Sequence, residues 1–183
     1  MKLLKIAALV AAMGAVGAHA NVVITSVTGT SGVNNAYRAA DMDSPAFEQD
    51  WQDRTAWWYY NDDSLDFTFD RPYQITGMTI VVDNNDYYRV FLSTDGLTWD
   101  DYHTVLAFEG AADYGMDTFS PSKPATAQHY SYARVTALAG DGSNSVGELK
   151  FNGVAAPVPE PETLALMLGG IAALGLKLRR RAG

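Results

Sequence analysis

Residues 88–99 read Tyr-Arg-Val-Phe-Leu-Ser-Thr-Asp-Gly-Leu-Thr-Trp. Tyr87–Ser93 has the aromatic and aliphatic make-up of a strand. Ser93-Thr94-Asp95-Gly96 follows as a turn, because Asp-Gly supplies the positive φ angles that a tight hairpin needs. Trp99 is expected in the core. Working outward, Leu65–Phe69 alternates apolar with polar residues, as a half-buried strand does. Ile75–Val82 is apolar or β-branched on both faces, the mark of a central strand. Asn21–Val27, Thr104–Phe108, Tyr132–Leu138 and Glu148–Phe151 supply further strands. Nothing between Asn21 and the tail keeps a helical period. Short strands joined by Asn, Asp and Gly turns predict an all-β fold, a β-sandwich or jelly roll.

The two ends of the 183-residue chain differ from this middle. Lys2 and Lys5, an apolar run from Ile6 to Val16, and Ala18-His19-Ala20 have the order of a signal peptide cleaved before Asn21. At the other end, Ala155–Pro161 is a Pro/Ala linker. Leu164–Leu178 is apolar except for Lys177, and Arg179, Arg180 and Arg181 follow. As a helix, fifteen residues rise about 22 Å, short of a hydrocarbon core of about 30 Å. The arginines would hold that end on the cytoplasmic side, with the rest of the protein across the inner membrane. The organisation expected is a signal peptide at 1–20, a β-sandwich at 21–154, and a linker with a sorting tail at 155–183.

Removing both ends sharpens the charge. The formal net charge of the chain is −8, yet residues 21–161 hold 20 Asp and Glu against 7 Lys and Arg, a balance of −13. Such a surface repels nucleic acid and anionic lipid. With no cysteine, thiol nucleophiles, thiolate metal sites and disulfides are excluded, so the exported domain depends on its core.

Four motifs carry a resemblance. Tyr88–Trp99 resembles the strand and S-x-D-G-x-x-W turn of discoidin-like domains, also called F5/8 type C or galactose-binding-like. Asp50-Trp51-Gln52-Asp53-Arg54-Thr55-Ala56-Trp57 resembles their D-G-x-x-x-T-x-W loop. Phe67–Ile80 and the closing Tyr132–Val135 and Val146–Gly153 stretches follow in the family's order. The resemblance implies a calcium ion that staples the termini, with Asp50, Thr55 and Glu148 as ligands. Trp51 replaces the glycine of the family's loop, which reshapes it. At the tail, Pro159-Glu160-Pro161, the apolar run and the arginines resemble the PEP-CTERM sorting signal. That resemblance implies a Gram-negative, exopolysaccharide-making bacterium with a biofilm matrix. It further implies an exosortase that cuts near the motif after a membrane-anchored intermediate, leaving the domain on the cell surface or outside the cell.

Aromatic faces stack on the apolar faces of pyranose rings while polar groups fix the hydroxyls. Trp57-Trp58-Tyr59-Tyr60-Asn61-Asp62-Asp63 is rich in both. Neighbours on a strand face opposite ways, so one aromatic pair fills the core. The family places its T-x-W tryptophan inside, which leaves Trp58 and Tyr60 as the exposed candidates. Trp51, Arg38, Tyr87 and Tyr88 are further ligand-binding candidates, and Asn84-Asn85-Asp86 could bind hydroxyls. Asp141-Gly142-Ser143-Asn144 reads as an ordinary oxygen-rich turn. His103 and His129 have no obvious catalytic partner, and Ser93 is not in a nucleophile elbow. The reading is a non-catalytic module that binds extracellular polysaccharide or matrix. A self-assembling surface protein, or a small polysaccharide hydrolase or lyase, are the alternatives.

Overall fold

The computed structural model describes residues 19–157 and, in the tail, Gly170. Nine antiparallel strands carry the chain: β1 (His19–Asn21), β2 (Ile24–Gly29), β3 (Ala56–Tyr59), β4 (Ser64–Asp83), β5 (Tyr87–Ser93), β6 (Asp100–Val105), β7 (Met116–Phe119), β8 (Tyr130–Ala139) and β9 (Ser143–Ala155). Within residues 19–157 the only helix is one 3₁₀ turn, Ala36–Ala40.

The two strands expected at 65–69 and 75–82 are one strand, β4, which serves both halves of the sandwich. Its first part, Ser64–Thr68, lies between β8 and β2. Its second part, Tyr73–Val82, pairs with β9 and, at its end, with β7. The register breaks between Thr68 and Tyr73. Pro72 lies in that break; without an N–H it cannot donate to a ladder. The path β9-β4-β8-β5-β6 therefore runs through a single bent strand. Side chains from both halves meet in one core: Phe151 of β9 packs edge-on against Phe69 at 5.6 Å and against Tyr102 of β6 at 6.1 Å.

The Tyr87–Ser93 strand is as expected, and Gly96 in the following turn has φ +75°. The loop is longer than a two-residue hairpin. The next strand begins at Asp100 rather than Thr104 and stops at Val105, because Phe108 turns to φ +56° and its N–H leaves for Asn84 O at 2.6 Å. Trp99 is not a core residue. It is half-buried on the outer face of β8, with the Arg134 guanidinium 4.2 Å over its ring. Arg134 in turn grips Asp66 with two bonds of 2.6 Å. The expected cleavage point between Ala20 and Asn21 falls inside β1, which pairs with Asn152–Val154 of β9.

Candidate functional site

β3 places the aromatic segment at one end of the sandwich. Its pairing with β9 runs Ala56↔Val146, Trp57↔Ser145, Trp58↔Asn144 and Tyr59↔Ser143. Ala56 and Trp58 face inward, so Trp58 is 0% exposed and meets the Tyr88 ring edge-on at 6.4 Å. The expected exposure of Trp58 is thus reversed. Trp57 and Tyr59 face outward and join Trp51 in a triangle of edge-to-face rings, 5.6–5.9 Å between centroids. These are spacings at which aromatic pairs attract. Tyr88 is also corrected: it is buried, its hydroxyl donating to Asp86 Oδ2 at 3.2 Å and accepting Ser145 N–H at 2.9 Å.

Tyr60 is where the strand ends. It holds φ +68° and is 76% exposed. A non-glycine residue in the left-handed region is uncommon and costs about 1–2 kcal/mol. Two tertiary bonds hold it there: its N–H donates to Gly142 O at 2.9 Å, and its carbonyl accepts Asn144 Nδ2 at 2.7 Å. Tyr87, also exposed, pairs with Ala139 on the other side of the same β8–β9 loop. Tyr60 and Tyr87 therefore flank one loop, while Trp51 reaches it through Tyr59.

Beneath these rings the β4–β5 and β8–β9 loops are clasped together. Asp86 Oδ1 accepts Asp141 N–H at 3.1 Å, and Asn85 Nδ2 donates to Asp141 Oδ2 at 3.1 Å. Gly140 makes the approach possible, since a Cβ there would lie 1.5 Å from Asp86 Oδ1. Burial, then the Asp83 and Asp141 charges, raise the Asp86 carboxyl to about 7. Burial, then Asp141, raise Asp83 to about 6. Burial likewise drives the Tyr88 hydroxyl well above its ordinary value.

Other nominated residues lie elsewhere. Arg38 sits on the 3₁₀ turn, bonded to Asp41 at 3.1 Å and lying over the Tyr37 ring. The calcium candidates divide. Asp50 is exposed, accepts Gln52 N–H, and its charge acts on Asp83. The buried Thr55 hydroxyl donates to Trp51 O. Glu148 is buried, with Lys150 Nζ at 3.7 Å and Asp41 as its acidic neighbour, and its carboxyl is raised chiefly by burial. Its Oε2 has no hydrogen-bond partner. Among the described residues, no three His, Cys, Asp or Glu side chains group as metal ligands.

The fold and this rim can be set against known proteins. Residues 157–181 match the PEP-CTERM protein-sorting motif. This chain carries the exosortase sorting signal. That marks it as an exported protein. Pro159, Glu160, Pro161, Arg179, Arg180, Arg181 and the apolar run between them lie outside the described residues. Among the described residues no helix is long and apolar enough to cross a membrane. No curated protein matches the chain. Among solved structures, it is similar to a truncated AlyQ with CBM32 and alginate lyase domains, at 14% identity and a TM-score of 0.57. That match covers 77% of this chain and 35% of the other. The CBM32 of AlyQ in complex with 4,5-unsaturated mannuronic acid matches at 13% identity and TM-score 0.56, covering 72% and 97%. The family 32 CBM of C. perfringens NanJ, in complex with galactose, matches at 12% identity and TM-score 0.52, covering 74% and 99%. These likenesses show the galactose-binding-like β-sandwich fold.

Trp57 and Tyr59 on this rim, and the buried Asp83, are residues that the sequence reading did not nominate. The parity of β3 decides Trp57 and Tyr59, and it is set by pairing with β9, a partner more than eighty residues away.

Proposed function

We propose that this PEP-CTERM protein is an exported, non-catalytic module that binds a glycan of the extracellular matrix or exopolysaccharide through the rim at Trp51, Trp57, Tyr59, Tyr60 and Tyr87. The observation that carries the reading is Tyr60. An exposed aromatic held in a strained backbone by two tertiary bonds is a feature that the rest of the fold over-determines, and such features concentrate at ligand sites. The aromatic triangle beside it offers rigid apolar faces. Asp62, Asp63 and Asn61 next to Tyr60 are exposed or half-buried and supply hydroxyl partners. The signal peptide and tail deliver the module across the inner membrane, anchor it there briefly, and hand it to an exosortase. The structural neighbours are binding modules, some of them parts of larger enzymes, which favours binding over turnover.

The test is co-sedimentation of the protein with a panel of insoluble polysaccharides, wild type against Tyr60→Ala and Trp57→Ala. Retention by wild type and its loss in both variants at unchanged melting temperature supports the rim. Equal retention in all three removes it. Turnover of any polysaccharide replaces this reading with the enzyme.

A calcium staple at Asp50, Thr55 and Glu148 is a second reading. It is favoured by Glu148 Oε2, which is buried and accepts no hydrogen bond while its counter-charge, Lys150 Nζ, stands off at 3.7 Å, since a buried charge needs close partners. A rise in melting temperature with calcium that Glu148→Gln abolishes supports it, and an unmoved transition removes it.

A further inference from the structure

We propose, resting on the rim reading above, that the loop from β6 to β7 is a second aromatic wall of the same site. Phe108 and Tyr114 take further rings of the glycan, so the module grips several consecutive sugars within a polysaccharide chain rather than one terminal sugar. The first ground is place. The pairs Tyr59↔Ser143, Asp83↔Met116, Tyr88↔Val105 and Tyr87↔Ala139 bring seven strand ends to one end of the sandwich. The β6–β7 loop therefore shares that end with Tyr60, with Asn84–Asp86 and with Gly140–Gly142. β3, β9, β4 and β7 lie side by side in that order. At about 4.8 Å per strand, about 14 Å separates β3, which Tyr60 follows, from β7, which Tyr114 precedes. That is wider than one pyranose ring.

The second ground is that the loop is turned inside out. Residues 106–115 form a ten-residue connection, where about 4–6 is usual. Its backbone is tied down along its length. Asn84 N–H donates to Gly115 O at 3.0 Å, Asn84 Nδ2 donates to Ala112 O at 2.5 Å, and Asn84 O accepts Phe108 N–H at 2.6 Å. The buried Asp117 accepts the Ala111 and Ala112 N–H groups. Asp113 N–H donates to Glu48 Oε1 at 3.3 Å, and Met116 N–H to Gln49 O at 3.0 Å, which joins the loop to the segment that carries Trp51. With the polar backbone held inward, the large rings face out: Phe108 and Tyr114 are 68% and 64% exposed. Apolar side chains that a tethered loop presents to water mark an interaction surface.

The third ground is that Phe108 repeats the signature of Tyr60. Among the described residues six non-glycine residues hold positive φ, and Tyr60 and Phe108 are the two aromatic ones. Each lies just past a strand end and is exposed. Each has its N–H bonded to a carbonyl of the clasp, Tyr60 to Gly142 O and Phe108 to Asn84 O. Such over-determined strain gathers at ligand sites. The chemistry also matches. The loop holds no Lys, Arg or His, and its Glu109 and Asp113 are exposed beside the rings, as Asp62 is beside Tyr60. Apolar faces with carboxylate acceptors suit uncharged, hydroxyl-bearing rings.

The experiment is isothermal titration of the full protein with the polysaccharides that wild type retains, cut to a series from disaccharide to octasaccharide. Wild type is compared with Phe108→Ala, Tyr114→Ala and Tyr60→Ala, with melts to check folding. The wall predicts that wild-type affinity climbs at least tenfold along the series. Phe108→Ala and Tyr114→Ala should lose most of that climb and bind the disaccharide as wild type does, while Tyr60→Ala weakens every length. Affinity that is flat with length, or a climb that survives both loop variants, overturns the wall; if Tyr60→Ala still loses binding, the rim itself stands. Wild type that binds no member of the panel overturns both. A dimer that Phe108→Ala dissociates, with flat affinity, makes the loop a contact between copies instead. Should Phe108→Ala fail to fold, Phe108→Gly replaces it, since glycine adopts φ +56° without strain.

Discussion

Two loop regions of this molecule have nearly the same composition and opposite chemistry. The turn at Ser93–Trp99 and the clasp formed by Asn84–Asp86 with Gly140–Asn144 both draw their polar residues from Asp, Ser and Gly, with Thr added in the turn and Asn in the clasp. In the turn the Ser93 and Asp95 side chains serve the local backbone. Ser93 Oγ accepts Gly96 N–H at 2.8 Å, and Asp95 Oδ1 accepts Leu97 and Thr98 N–H at 2.8 and 2.9 Å. Those bonds hold the Asp95 carboxyl below its ordinary value. In the clasp the bonds run between loops more than fifty residues apart, two aspartates are raised, and buried oxygens are left over. A turn that completes its own hydrogen bonds is structural. A loop pair that leaves them incomplete keeps capacity for something else.

Four changes break or sharpen that contrast. The largest effect falls under the clasp. Trp58→Ala empties the floor on which both loops rest, at a cost of about 3–5 kcal/mol. The melting temperature should drop by about 10 °C or more, and a drop under 3 °C contradicts the core assignment. Gly140→Ala drives a methyl into Asp86 and should cost about 2 kcal/mol, read as a shift in denaturant midpoint. An unchanged midpoint means that the loops do not meet. Asp95→Ala in the turn removes three local bonds, from Leu97 and Thr98 N–H and from the Ser93 hydroxyl, and costs about 1 kcal/mol, with glycan binding untouched; weakened binding would make the turn part of the site.

The smallest effect is on pH. Asp83 and Asp86 titrate near 6 and 7 when folded and near the ordinary 3.8 when unfolded. The folded state thus binds the extra protons between those limits. Their contribution to stability is complete below about pH 4 and is lost as pH rises through 6 and 7. In chelator-treated protein the melting temperature should fall by a few degrees between pH 5 and 8, and Asp83→Asn should flatten the slope. A rise over that range reverses the sign and refutes the burial argument.

What the sequence made legible follows from the same contrast. Tyr87–Ser93, the turn after it and the all-β class depend on local alternation and local turn chemistry, so they could be read directly. The bend in β4 could not, because the strand resumes with a new partner at Tyr73 after the register break over Asp70-Arg71-Pro72, where composition signals only an end. Trp57 and Trp58 were exchanged for a related reason: alternation shows that neighbours part, but only pairing with β9 tells which goes inward. Tyr60 was legible as exposed, while its strained backbone depends on Gly142 and Asn144. Trp99 was expected inside because it is large and apolar, yet Arg134, held by Asp66, gives it a surface partner.

The most direct measurement is equilibrium binding of the protein to the polysaccharides that wild type retains, for wild type, Tyr60→Ala and Asp95→Ala at matched thermal stability. The account predicts a loss of at least tenfold in affinity for Tyr60→Ala and none for Asp95→Ala. Equal affinity in all three, or the reverse order, would contradict it.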